Sequence, residues 1–202
     1  MAIVLAVMLS WTGEMPGSVD LRIEEFFAGH RTEGAHRSSG WFTRLGGREV
    51  VAPIGLVVAA AIGFRRRSLR PVVMMVAVYL LAAGPAAFLK ETLHRAEPGD
   101  LTEELGRSFP SGHTTQAAAV YGMAAVLWAE GAPRRGRLAA GGVAVIASVV
   151  VGVAMVVRGA HWAGDVVAGY AIGVAALVTV TAVSARLRPG NGEFRRRQPS
   201  PV

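Results

Sequence analysis

The chain has 202 residues, 52% of them hydrophobic, with a mean hydropathy of +0.41 and a formal net charge of +7. The apolar residues gather into runs of Ala, Val, Leu, Ile and Gly between short charged clusters, which excludes an ordinary water-soluble domain. There is no cysteine, which excludes disulfides, thiolate chemistry and Cys-based metal sites. The basic residues cluster at the ends of the apolar runs, so the charge marks membrane loops rather than a nucleic-acid surface. One lysine, Lys90, stands among 21 basic side chains that are otherwise all arginine.

In chain order the pattern predicts an all-α, polytopic membrane bundle of about six transmembrane helices. Residues 1–11 form an apolar piece shorter than the ~17 residues that a span needs, so it reads as half-inserted or as continuing upstream. It has neither the basic region nor the cleavage site of a secretory signal peptide. Residues 13–47 are polar, with an amphipathic stretch at 19–27 that suits an interfacial helix. Trp41 and Phe42 suit an interface belt. Spans are predicted at about 50–64, 72–89, 110–129, 138–157 and 165–185, with Pro85 a tolerated kink inside the second of these. Residues 90–109 read as a loop, and residues 188–202 as a basic, disordered tail. The chain therefore divides into an N-terminal partial span with an interfacial loop at 1–49, a helical core at 50–187 and the tail. Gly169 and Gly173 make a GxxxG pair, but Gly occurs 25 times here, and chance spacing accounts for it.

Three arginine clusters set the topology: Arg65, Arg66, Arg67 and Arg70; Arg134, Arg135 and Arg137; and Arg186, Arg188, Arg195, Arg196 and Arg197. They follow alternate spans, so one face of the membrane collects them, and the positive-inside rule makes that face cytoplasmic. The loop at 90–109 and the turn at 158–164 then face the other side. So do Lys90, His94, Arg95, Arg107, Ser111, His113, Arg158, His161 and Asp165, ionisable or polar groups that are costly at the rim of a span unless they serve a function.

Phe109-Pro110-Ser111-Gly112-His113 opens a helix. Pro suits its first position, Gly lets a ligand approach the backbone, and the free N–H groups favour an anion. A His in that turn can exchange a proton with the anion. In His161-Trp162-Ala163-Gly164-Asp165, His and Asp stand four apart, which on a helix puts both on one face. The carboxylate can take one imidazole nitrogen and leave the other as nucleophile or base. Alone, a Ser-Gly turn is more often a plain helix cap and a His an interfacial residue; it is their combination that points to chemistry.

Together these residues resemble the type-2 phosphatidic acid phosphatase family, which shares its site with vanadium-dependent haloperoxidases. Its motifs are Lys, six residues, Arg-Pro; Pro-Ser-Gly-His; and Ser-Arg, five residues, His, three residues, Asp. The second is intact at Pro110, Ser111, Gly112 and His113. The His and Asp of the third are His161 and Asp165. Lys90 and Pro98 keep the spacing of the first. The resemblance covers roughly residues 50–185.

It implies a phosphatase without metal or cofactor, acting on a membrane-held lipid phosphate: phosphatidic acid, phosphatidylglycerol phosphate or a polyprenyl phosphate or diphosphate. His161 would attack phosphorus, Asp165 would orient it, and His113 would protonate the leaving oxygen and then activate water. Lys90, Ser111 and Gly112 would hold the phosphate. The partners are then the lipid substrate and the surrounding membrane lipids. In a bacterium the membrane would be the plasma membrane, with the site facing outward.

Two motif arginines are replaced, one by Glu97 and the other, with its preceding Ser, by Ala154-Met155. Arg158, and after it Arg95, are expected to supply the missing charge. The alternative is a weakened homologue that binds phosphorylated lipid without turnover. A haloperoxidase is disfavoured because those enzymes are soluble, and a transporter because the charges gather at span ends.

Overall fold

The computed structural model describes residues 16–98 and 106–187. Among them the chain forms seven helices: α1 (Ser18–His30), α2 (Glu33–Arg44), α3 (Arg48–Arg66), α4 (Arg70–Leu93), α5 (Gly112–Ala129), α6 (Arg134–Val157) and α7 (Ala163–Arg186). The terminal apolar piece and the basic tail of the sequence reading lie outside the described residues.

Helices α4, α6 and α7 each have 24 residues and the apolarity to cross a membrane. At 1.5 Å per residue each is roughly 36 Å long, enough for a hydrocarbon core of ~30 Å. Helices α2 and α3, bent by 41° at a short break, together make a fourth candidate span. The fold is therefore the all-helical membrane bundle that the sequence predicts. Its count of long apolar helices is three or four against the expected six or so, partly because α5 does not qualify on hydropathy.

Helix α5 is the hub, touching α3, α4, α6 and α7. Its residues Thr114, Thr115, Ala117, Ala119, Val120, Met123 and Leu127 are all buried. It need not be strongly apolar, because protein rather than lipid surrounds it. Its two buried threonine hydroxyls return to the backbone: Thr115 Oγ1 donates to the Ser111 carbonyl at 2.8 Å, and Thr114 Oγ1 to the same oxygen at 3.1 Å. The lipid-facing helices reverse the pattern of a soluble protein. Val57, Phe64, Leu80, Phe88, Val143 and Ile146 are exposed, while Arg95, Ser108, His161 and Asp165 are inside.

Helix α5 packs against both α4 and α6, and α7 returns onto α5 and α4, so candidate site residues far apart in sequence collect at one end. The opposite end is tied by ion pairs. Glu130, after α5, takes Arg66 at 2.5 Å and Arg70 at 2.9 Å. Arg66 also donates to the Leu127 and Glu130 carbonyls, and Arg70 to Ser184 on α7. Two arginines of the first basic cluster are thus structural fasteners as well as topology signals.

The Gly169–Gly173 pair does pack helices, against the reading of it as chance. A Cβ on Gly169 would fall 2.6 Å from the Ser111 carbonyl oxygen and 2.1 Å from Thr114 Oγ1. On Gly173 it would fall 2.6 Å from the Thr115 carbonyl oxygen. Helix α7 approaches α5 backbone to backbone there, and only hydrogen fits. Gly169→Ala should cost about 1–3 kcal/mol through overpacking and lower the melting temperature in detergent. Gly84→Ala, where a Cβ meets nothing within 4 Å, should be neutral or slightly stabilising.

Candidate active site

Asp165 is the third residue of α7, in the first turn, where the helix dipole favours a negative charge. It is fully buried. One carboxylate oxygen, Oδ1, accepts from Arg95 Nη1 at 2.6 Å. The other, Oδ2, accepts from the Trp162 N–H at 3.0 Å and from the Ser108 hydroxyl. His161 Nδ1 lies 3.5 Å from Oδ2 and 3.5 Å from Ser108 Oγ. Those contacts are long, but they turn Nδ1 toward the carboxylate and leave Nε2 as the free nitrogen.

The sequence reading brings His161 and Asp165 together on a helix face, but the structure does so differently. Helix α7 begins at Ala163, with Trp162 as its N-cap, and His161 precedes it. The pair meets because Asp165 folds back on the cap, its carboxylate closing the turn onto the Trp162 N–H. Likewise Pro110 is not the first helical residue. Helix α5 starts at Gly112 with Ser111 as its N-cap, after a cis Phe109–Pro110 bond. The Ser111 N–H donates to the Asp165 carbonyl at 3.0 Å, joining the turn that carries His113 to the turn that carries His161. The Ser111 hydroxyl is buried and has no partner among the described residues.

His113 is half-buried, and the charges that act on it are His161, Lys90, Glu49 and Arg158. Lys90 belongs to the last turn of α4, which runs on to Leu93 rather than ending at the expected loop. Its ammonium donates to the Arg107 carbonyl at 2.5 Å and keeps two further protons to offer. Its stem lies beside Gly112: a Cβ there would be 3.9 Å from Lys90 Cε. Lys90, Gly112, His113, Glu49 and Gln116 border a cavity of about 330 Å³ whose far wall is Tyr79, Ala83, Ala86 and Ala87. Its lining combines polar and charged groups at the candidate site with Tyr79 and three alanines of α4. Among the described residues no three His, Asp or Glu side chains gather as a metal site.

Arg95 is not where the sequence reading puts it. His94 ends α4 in the left-handed region, at φ +37°, and reverses the chain. Arg95 then points into the protein, 2% exposed, where Nη1 pairs with Asp165 and Nη2 with Asp20 at 2.5 Å. Both carboxylates are desolvated, so the guanidinium is held by them and is not free for a phosphate. Arg107, also noted in the sequence, pairs outward with Glu91 at 2.9 Å. Arg158 caps α6 through its backbone N–H and is exposed, and its side chain has no hydrogen-bond or ion-pair partner among the described residues. Met155 is buried in an apolar cluster with Val151, Val156 and Val166, against which Ile23 and Phe27 of α1 pack. Glu97 is exposed but close enough to act on Lys90.

Asp20 and Ser108 escape the sequence reading. Asp20 lies in an amphipathic stretch beside Glu24 and Glu25, and nothing local separates it from them. Its partners, Arg95 and the Gly164 N–H at 2.8 Å, are 75 and 144 residues away. Ser108 is one residue outside the helix-opening motif and has no signal of its own.

A solved structure described as the first transmembrane PAP2 type phosphatidylglycerolphosphate phosphatase, from Bacillus subtilis, superposes with a TM-score of 0.80 at 22% identity, covering 93% of this chain and 94% of that one. The Bacillus subtilis protein named phosphatidylglycerophosphatase B is 29% identical over 136 residues, 65% of this chain. That match spans 66% of the relative's length, just short of two thirds. The PAP2 superfamily model matches residues 54–189, well over half of the sequence, and the chain belongs to that superfamily.

Proposed function

We propose that this chain is a membrane phosphatase that releases inorganic phosphate from a lipid phosphate monoester, with a phosphatidylglycerophosphate as the first candidate substrate. The observation that carries the reading is the joined pair of helix starts. The Ser111-to-Asp165 backbone hydrogen bond holds the His113 turn against the His161–Asp165 turn, with Lys90 at their shared edge. The candidate substrate rests on the named activity of the 29% identical relative.

In this reaction His161 Nε2 attacks phosphorus, and the bond from phosphorus to the lipid oxygen breaks. His113 gives its proton to that oxygen, and the dephosphorylated lipid leaves. A water then attacks the phospho-histidine, His113 takes its proton, and the nitrogen–phosphorus bond breaks to free phosphate and His161. Asp165 orients His161 throughout. Lys90, the Ser111 hydroxyl, the Gly112 N–H and Arg158 hold the phosphate oxygens; positioning and charge stabilisation do most of the work in such transfers. Arg95 is not among these ligands. The basic clusters face the cytoplasm and the site faces outward, in a bacterial plasma membrane. The lipid tail lies along the cavity walled by Tyr79, Ala83 and Ala87.

A second reading, binding of phosphorylated lipid without turnover, is favoured by one observation: Met155 is buried where a motif arginine would stand. Phosphate release from phosphatidylglycerophosphate and phosphatidic acid by detergent-purified protein decides between them. Release that persists in EDTA and falls to background in His161→Ala is expected. Absence of release from every lipid establishes the binding reading instead. Arg158→Ala should weaken inhibition by vanadate, a phosphate mimic, by roughly tenfold, the worth of one charge-assisted contact. Unchanged vanadate inhibition and turnover would assign Arg158 to the surface.

A further inference from the structure

Resting on the phosphatase reading above, we infer that Asp20 and Arg95 form a positioning device for the His161–Asp165 pair, with α1 as the element that carries it. Arg95 is wedged between two carboxylates. Nη1 reaches Asp165 Oδ1 at 2.6 Å, Nη2 reaches Asp20 Oδ2 at 2.5 Å, and the guanidinium carbon lies 5.9 Å from the Phe109 ring centroid. Turning toward a phosphate would strand both acids in a desolvated interior, where an uncompensated charge is costly. Arg95 thereby fixes which oxygen of Asp165 is spent. Oδ1 is bound to the cation, and Oδ2 is left to Ser108, the Trp162 N–H and His161.

Asp20 does two things at once. With Arg95 and Asp165 alone, the cation would cancel the charge that supports the imidazole; the second carboxylate leaves the trio with a net charge of −1. Its other oxygen accepts from the Gly164 N–H at 2.8 Å, in the same first turn of α7 that carries Asp165. Asp20 therefore holds both the cation and the turn. Ile23 and Phe27 seat the same helix on the α5–α6–α7 cluster. The other charges facing this trio are His161 and, from α4, Lys90, with His113 beyond.

The test is steady-state phosphate release from the lipid that the wild-type protein hydrolyses, read as kcat, KM and vanadate inhibition. Arg95→Met and Asp20→Asn should each lower kcat by roughly 10- to 100-fold, the usual effect of removing a partner that orients a histidine. KM and vanadate inhibition should stay within about threefold. Arg95→Lys should recover part of kcat. The double variant Arg95→Met/Asp20→Asn should lose less than the product of the single losses, because the two acids no longer face each other without a cation. Vanadate inhibition that weakens in step with kcat would make Arg95 a phosphate ligand and overturn the inference; so would losses that simply multiply. If Arg95→Met does not fold, Arg95→Lys carries the same comparison of kcat with vanadate inhibition. If the wild type releases no phosphate, the phosphatase reading fails, and positioning is read from the ¹⁵N resonances of His161, assigned with His161→Gln. Resonances that move in Arg95→Lys and Asp20→Asn support the device; unmoved resonances sink it.

Discussion

A carboxylate with no solvent exposure must replace every hydrogen bond that water gave it, and Asp165 is in that position. Four groups from three separate parts of the chain meet the demand: Arg95 after α4, Ser108 before α5, and the Trp162 N–H and His161 at the start of α7. Satisfying one acid therefore assembles the whole end of the bundle. Breaking a buried pair by deleting one partner typically costs about 3–5 kcal/mol, so these loops have strong reason to stay together. The fold near the site is arranged around that requirement as much as around apolar packing.

The rest of the bundle is organised by the opposite rule. Lipid removes the hydrophobic incentive for helices to associate, leaving close packing and a few polar contacts to hold them. The glycines of α7 against the backbone of α5 supply the first at the site end. Glu130 with Arg66 and Arg70 supplies the second at the far end. Between them run the buried clusters of α3, α4, α5 and α7 and of α5, α6 and α7. The candidate site is thus built on helix ends: His113 and Asp165 sit in first turns, where backbone donors lack helical partners, His161 just ahead of one, and Lys90 in a last turn.

What the sequence discloses depends on how local each signal is. Apolar runs and arginine clusters are local, so α3 to α7 and their alternation could be read in advance. Pro110 to His113 and His161 to Asp165 are short patterns, so they could be singled out as candidates as well. The geometry joining them is another matter. The cap that closes on Trp162 looks, in sequence, like a helical spacing of four. Arg95 looks like a loop cation available for phosphate, and only its distant partner Asp20 shows otherwise. Lys90 stands out by its rarity, yet its place on a helix end depends on where α4 stops, at a left-handed His94 with no glycine to announce it. Gly169 and Gly173 are hidden by the abundance of glycine elsewhere.

The enclosure of α5 has a consequence for biogenesis. A segment that opens with Gly-His-Thr-Thr-Gln partitions poorly into lipid by itself. Yet α5 carries one half of the proposed reactive centre and touches four other helices. It gains its place from its neighbours and so depends on the later synthesis of α6 and α7. Until α7 arrives, the threonines of α5 face lipid or the insertion machinery rather than glycine. A ribosome stalled between α5 and α7 would leave a chain that is in the membrane but unsettled there. The order of emergence, not only the final contacts, decides whether this centre forms.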